Sequence, residues 1–563
     1  MIGVEFLYEM KRIFRNNIFR LFILFSVVGV ITMQYTWINL TMLHLPHIRL
    51  YDCWIPWSYK GLPFAMPFMN AFLFNFVQVV FVIFICSNDL CVRSRETVEA
   101  LYVRPVSNVK IVMGRNAGKL VAVTLLNFLS MGGALFFNIL YSGYAFNGSL
   151  YLFYWLTLTF PTLVFILGLS NWLGQVVKHQ GLFILLVLSI VGAGILFLAT
   201  RLEGFLDPFA REIPNVFSDI TGHAGIVNYL LQRITIFLIG IVFIFLTVGF
   251  YPRLDNSVNT RKKTGVLVGG LLLVLMIPVV TFINRHDARW EQQAFCKSLQ
   301  DRYGGVLVDH VVSQRIVLQE ETHGFHAESW MRITRLTSSD SSLVLFLNPG
   351  LEVDALEQDG IPVTYSRTGQ VLVTDLHLVE KDTVNLHVTY HGHIDGSVVC
   401  SDLPRESRGR ELSKRLGGMY RSGTRTVLDL ENYKSYSPAS LWYPTCVIPS
   451  TSFLQVKDFT CYSLTVRHRE GATVISQGIP EELKNDETIF HHAHALPGIN
   501  LCIGNYNCRT IRVDSIRYNV YYFPGHEYFF ERFGKVDDNV LVERIREIKQ
   551  DIEYHKGNLS GAV

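Results

Sequence analysis

The chain has 563 residues, half of them hydrophobic and only 17% charged, with a mean hydropathy of +0.27. A soluble domain is usually about a quarter charged, so this deficit argues against an ordinary soluble protein and for a membrane one. A net charge of +3, with no basic tract interleaved with aromatics, argues against nucleic-acid binding.

The first element is residues 2–17, IGVEFLYEMKRIFRNN. Phe6, Leu7, Met10, Ile13 and Phe14 recur at helical spacing, with Lys11, Arg12 and Arg15 elsewhere on the wheel. That reads as an amphipathic helix lying in a membrane interface; a basic flank that fixes topology is the plainer alternative. A span needs about 20 apolar residues to cross roughly 30 Å of hydrocarbon. Seven stretches qualify, near 18–40, 65–87, 119–142, 150–174, 181–200, 229–250 and 265–284. Pro161 is placed to kink the fourth. Lys and Arg concentrate in the breaks that hold Lys11, Arg95, Lys110, Lys178 and Lys262, while the opposite breaks hold only Arg49, Lys60, Arg201 and Arg211. The amino terminus is therefore expected in the cytoplasm and everything after Asn284 outside. The first span is expected to be retained, being too long for a signal segment.

Polar side chains punctuate the spans: Asn70, Asn75 and Gln78 in the second, Asn127 and Asn138 in the third. They either line a substrate path or bond helix to helix. No full charge is expected deep in a span, which argues against a proton relay; Arg233 sits near the end of its span and is expected to snorkel outward. The loop 201–227, RLEGFLDPFAREIPNVFSDITGHAGIV, mixes Phe205, Phe209, Ile213 and Phe217 with charges and prolines. It either dips back into the membrane, where covering protein tolerates irregular backbone, or lies on the surface.

Between the second and third stretches, residues 88–119 carry charges of both signs and a proline. A short helix through Arg95, Glu96, Glu99 and Tyr102 is stopped by Pro105. Ser107 or Asn108 caps a second helix leading into the third span. The product is a charged elbow suited to a groove of a cytoplasmic partner; a solvated connector is the alternative. The stretch RETVEALYVRPVSNVKIVMGRNAGK resembles the cytoplasmic segment of type 2 ABC exporter permeases. The resemblance covers about the first 260 residues and includes the amphipathic start and the dipping outer loop. It implies that Arg95, Glu96, Thr97, Glu99, Arg104 and Pro105 couple the spans to ATP hydrolysis in a separate subunit. The family has six spans; a seventh would anchor an exported domain. GRNAGKL at 114–120 is not itself a phosphate loop, because only three residues separate its glycines where four are needed and Leu120 follows Lys119. ATP is therefore expected only on the partner subunit.

From about 330 the pattern turns to short strands with Asn-Pro-Gly, Asp-Gly and Thr-Gly turns, which predicts an all-β sandwich. Histidines are plentiful, but no metal site is expected. His492 and His494 share a strand face, yet two ligands do not fill a tetrahedral site; His391 and His393 have the same limit. In GHEYFF at His526, Phe530 stands where a zinc motif needs its second histidine. LFLNPGLEV, LHVTYHGHID, LWYPT and LPGINLCIGNYNCRTIRVDSIRYNVYYF resemble the amino-terminal β-domain of aminopeptidase N-like zinc peptidases, over about 325–535. In that family the zinc ligands and the acid/base Glu lie in a later domain, so no catalytic residue is carried over and the chain is not read as an enzyme. Cys296, Cys400, Cys446, Cys461, Cys502 and Cys508 allow 15 pairings and leave free thiols as an alternative. A tail helix holding Val540, Leu541, Ile545, Ile548 and Ile552 is expected either to pack on its own domain or to dock a partner.

The expected organisation is a transmembrane permease domain over 1–286, an extracytoplasmic β-domain over 287–534 and an amphipathic tail over 535–563. The expected setting is a bacterial inner membrane, with an ABC ATPase and a second permease copy or related permease as partners. The alternative is the membrane-anchored, non-catalytic half of a split zinc aminopeptidase.

Overall fold

The computed structural model describes residues 2–42, 66–93, 107–141, 147–194, 204–210, 217–218, 220–223, 225–251, 258–304, 307–337, 342–380, 382–399, 427–448, 457–483, 486–514, 516–524 and 538–556. They form two compact units, one up to His286 and one from Asp287 on.

The first unit is helical. α1 spans Ile2–Arg15, α2 Asn17–Met42, α3 Met66–Arg93, α4 Asn108–Tyr141, α5 Ser149–Val176, α6 Gln180–Ala193, α7 Ile226–Phe250 and α8 Val258–Tyr303. Five described segments, Asn70–Leu90, Asn108–Phe136, Ser149–Val176, Ile226–Phe250 and Arg261–Tyr303, are long and apolar enough to cross a membrane. Phe19–Gly29 and Gln180–Ala193 are apolar but shorter. The expected seven are thus five by length among the described residues. The 14 described residues of α6 cover about 21 Å at a 1.5 Å rise per residue.

α4 begins at Asn108, as the expected cap at Ser107 or Asn108 implies, and runs unbroken through GRNAGKL. One boundary differs from expectation. α8 runs 46 residues, far past the apolar run, because nothing after Asn284 stops it until Tyr303. Pro161 does not break α5. The turn before it, Trp155–Thr159, is π-helical, and such a wider turn accommodates a proline ring and its missing N–H. α5 and α7 pack backbone to backbone where glycines meet. A Cβ on Gly168 would lie 2.4 Å from the Gly240 carbonyl oxygen, and one on Gly240 would lie 2.6 Å from the Phe165 nitrogen. Small residues permit such close helix approach in apolar surroundings.

The second unit is β-rich. Its eight-stranded sheet runs, edge to edge, Ile479–Leu483, Glu487–His491, Cys461–Arg467, Asp309–Glu320, Phe325–Arg335, Thr383–Gly392, Leu351–Gln358 and Ile361–Pro362. All neighbours are antiparallel except Asp309–Glu320 with Cys461–Arg467, which are parallel. Period-two alternation sets the faces. Phe325, Ala327, Met331 and Ile333 are buried, whereas Trp330 and Arg332 are exposed. Smaller sheets contribute Leu343, Leu345 and Leu372, and Tyr436, Leu501 and Ile503, to the same core. The expected sandwich is therefore lopsided: one face of the large sheet is covered, and the face carrying Trp330 stays open to solvent.

The turns follow the expected chemistry. Asp359 and Gly360 both take positive φ, 48° and 84°, joining a two-residue hairpin. Asn348, of the Asn-Pro-Gly turn, donates to the Asp395 and Ser440 carbonyls (3.0 and 2.7 Å) and accepts from Gly350 and Asp395 N–H (2.9 and 2.8 Å). A buried pair, Arg335 Nε to Asp309 Oδ1 at 2.5 Å, closes one end of the sheet; burial, only partly offset by Arg335, raises the Asp309 carboxyl above its ordinary value. The tail forms α9, Asp538–Lys556, whose Leu541 packs on Ile511 and Val513 of its own unit.

Candidate functional site

The clearest convergence of polar chemistry lies in the helical unit, where α1, α3, α4 and α5 meet. α1 presents Glu5, Glu9 and Arg12, spaced four and three apart, to α4, which presents Arg115 and Lys119. Gly118 lets the two helices touch: a Cβ there would lie 2.8 Å from the Glu9 Cβ. Glu9 is 1% exposed and Lys119 2%. Asp89, near the end of α3, receives both cations: Lys119 Nζ lies 2.6 Å from its Oδ2, and Arg12 pairs with its Oδ1. Arg12 also pairs with Glu9. Lys119 donates to Asn171 Oδ1 on α5 at 2.9 Å and sits 3.7 Å from the Cys86 sulfur. Asn171 in turn donates to Asn116.

The result is a neutral knot of two carboxylates and two cations. Buried charges persist when paired and hydrogen-bonded; Asp89, Arg12 and Lys119 each have at least two polar partners, and Glu9 has Arg12. Its position matters as much as its composition. Asp89 ends the helix that enters the 93–107 segment, and Lys119 lies in the helix that leaves it. Any displacement of that segment must act on both sides of one ion pair.

The elbow residues Arg95, Glu96, Thr97, Glu99, Arg104 and Pro105 lie outside the described residues. Asn70, Asn75 and Gln78 are buried in the bundle. Gln78 donates to Asn75 Oδ1 at 2.8 Å and to the Thr159 carbonyl at 3.1 Å, tying α3 to the π-helical turn of α5. Asn75 Nδ2, Gln78 Oε1 and Thr159 Oγ1 remain buried without a hydrogen-bond partner. Asn127 and Ser130 on α4 are buried too.

A second polar cluster corrects an expectation. Arg233 does not snorkel; it is 2% exposed. Its guanidinium donates to the Pro208 carbonyl (2.9 Å), the Asp207 carbonyl (3.0 Å) and Thr162 Oγ1 (3.2 Å). Gln232 donates to the Gly204 and Asp207 carbonyls (2.7 and 2.8 Å). These bonds hold residues 204–210 inside the bundle, with Phe209 stacked on Phe76 at 4.9 Å and Phe205 on Phe282 at 4.0 Å. Residues 204–210 are therefore buried within the helical bundle and do not lie on its surface. A loop carbonyl in apolar surroundings needs a donor, and Arg233 supplies several.

The histidines of the second unit do not converge. His491 faces Glu481 at 3.6 Å, both exposed. Burial, with His491 adding to it, lowers the His492 imidazole below its ordinary value. His391 bonds Asp354 at 2.9 Å, and that bond raises its imidazole. His526 lies outside the described residues. Among the described residues no three His, Cys, Asp or Glu side chains gather to hold a metal. Cys296, Cys446, Cys461, Cys502 and Cys508 are free thiols, and Cys400 lies outside the described residues. A cavity of about 430 Å³ is lined by Val311, Gln314, Pro438, Asp458, Tyr462 and Leu496.

No protein-family model matches this chain, and no curated protein does. Among solved structures it is similar to an M1 zinc metallopeptidase from Deinococcus radiodurans, at 17% identity and a TM-score of 0.31 over 43% of this chain and 53% of that one. A second structure of a metallopeptidase from that organism matches at 17% identity and 0.29, over 38% and 48%. Native yeast LTA4 hydrolase matches at 14% identity and 0.30, over 44% of this chain and 35% of that one. The chain spans about half the length of the bacterial enzyme and about a third of the yeast one.

The knot was missed in the sequence because its members look ordinary singly. The signal was present: Glu5, Glu9 and Arg12 on one face of α1, and a lysine three turns inside a helix.

Proposed function

We propose that the chain is the membrane permease subunit of an ATP-driven exporter of the ABC type 2 kind, in a bacterial inner membrane. A separate cytoplasmic ATPase would act on the elbow at 93–119, and the β-rich unit would serve substrate or partner contact outside without catalysis of its own. The observation that carries this reading is the Asp89–Lys119 pair, which brackets the elbow and ties it to α1 through Arg12 and to α5 through Asn171. A push on the elbow would then be shared among four helices. The buried Asn75–Gln78–Thr159 cluster supplies polar groups along α3 and α5 that a moving substrate path would use. A second permease copy, or a related one, would complete the path.

The test is co-purification of the full chain from its native membrane. An ATPase with a phosphate loop should be recovered with the wild-type chain and lost with the paired Glu96→Lys and Glu99→Lys substitutions. Retention of the ATPase by that variant would sink the elbow assignment. Stoichiometric zinc in the isolated chain would instead favour the split-peptidase reading, in which this chain is the anchored half.

A further inference from the structure

We propose that the outward face of α1 is a docking surface for anionic phospholipid headgroups. The inference rests on the membrane reading above but not on ATPase coupling. The structure turns the carboxylates of α1 toward the protein, together with Met10 and Ile13, and leaves a second apolar face turned away. Glu5 pairs with Arg115 and Glu9 with Arg12, both against α4. Val4 is 68% exposed, Leu7 56% and Tyr8 58%, with Phe14 beside them. Lys11 and Arg15 are exposed on the same side, since positions 4, 7, 8, 11, 14 and 15 share one face of a helix. Among the described residues neither cation has an ion-pair partner. Just past the break at Asn16, Arg20 is exposed too and donates to the Phe14 carbonyl at 3.3 Å.

The exposed face thus mixes apolar groups with cations and contains no anion. An aqueous surface would leave its large apolar groups in water. A protein partner would have to supply both a greasy groove and a set of carboxylates. A leaflet of anionic lipid supplies both demands at once: acyl chains take Leu7, Tyr8 and Phe14, and lysine and arginine stems reach up to the phosphates. Turning Glu5 and Glu9 inward removes the only charges on α1 that would repel those phosphates. The knot therefore does a second job, because it fixes which face of α1 meets the membrane.

Each cation near an anionic surface contributes about 1 kcal/mol, which is roughly a fivefold preference, so two contribute about thirtyfold. The purified full chain in mixed micelles of phosphatidylcholine and phosphatidylglycerol is analysed by native mass spectrometry for retained lipid. The wild type should retain phosphatidylglycerol preferentially, and the preference should shrink with salt. The Lys11→Gln plus Arg15→Gln variant should lose most of it, with thermal stability unchanged because both side chains are exposed. Equal retention of the two lipids by the wild type would overturn the proposal. An equal loss in the Lys262→Gln plus Lys263→Gln variant would also overturn it, by assigning the preference to diffuse surface charge. Failure to recover an ATPase with intact lipid preference would fault the exporter reading alone.

Discussion

Asp89→Asn is the most informative single change in the helical unit. In the wild type the carboxylate answers two cations, Lys119 at 2.6 Å and Arg12. After the substitution Arg12 still has Glu9, but Lys119 keeps direct hydrogen bonds only to neutral Asn171 and Cys86, with Glu9 acting on it at longer range. Removing one partner of a buried pair costs about 3–5 kcal/mol, because the other charge is left uncompensated. Lys119→Met is milder. Asp89 then retains Arg12, and the loss is one charge-assisted bond, about 1.5–3 kcal/mol. The double variant removes the stranded ammonium, so it should be more stable than Asp89→Asn by on the order of 2 kcal/mol. Unfolding of the full chain in mixed micelles, followed by circular dichroism, ranks the three. If the two single variants cost the same, or the double variant costs their sum, the knot is not a shared-carboxylate network and the reasoning fails.

Gly168→Ala should disrupt the α5–α7 contact, where a Cβ meets a backbone oxygen at 2.4 Å, whereas Gly269→Ala, with nothing within 4 Å, should be silent; size-exclusion profiles of the solubilised chain separate these outcomes. Arg233→Met should loosen residues 204–210, whose Asp207 and Pro208 carbonyls keep only Gln232 and Thr162 as donors, and amide hydrogen exchange there should rise above that of α7. In the β-rich unit, Asp354→Asn should return the His391 imidazole toward its ordinary value of about 6.5, as read by NMR titration. Because the folded value is raised, the Asp354–His391 contact contributes fully below about pH 6.5 and is lost as pH rises through the folded value. An unchanged His391 titration would mean that the hydrogen bond is not its cause.

Much of the architecture was legible along the chain. Apolar runs marked α2 to α8, because a helix in apolar surroundings must satisfy its own backbone and shows this as uninterrupted hydrophobicity. Asp359-Gly360 announced its hairpin, because only a turn needs two consecutive residues of positive φ. The number of long helices was less legible. Hydrophobicity marks an apolar run without marking helix ends, and among the described residues α6 covers 14 residues of the expected 181–200. The start of α4 was legible in Ser107 and Asn108, cap residues just past Pro105; the pairing of Arg115 with Glu5 and of Lys119 with Asp89 was not, because those partners lie far away in the chain.

The sequence by itself determined periodicity: which segments are apolar throughout, which alternate, and where turns interrupt them. Those properties are local, set by each residue and its near neighbours. Partnership was decided only in three dimensions. Nothing near Arg233 in the chain says that it will clamp carbonyls 25 residues away. Likewise Glu9, Asp89, Lys119 and Asn171 come together only once four helices pack. A buried charge is tolerable only where its partners arrive from elsewhere, so tertiary structure alone turns those scattered ordinary residues into a site.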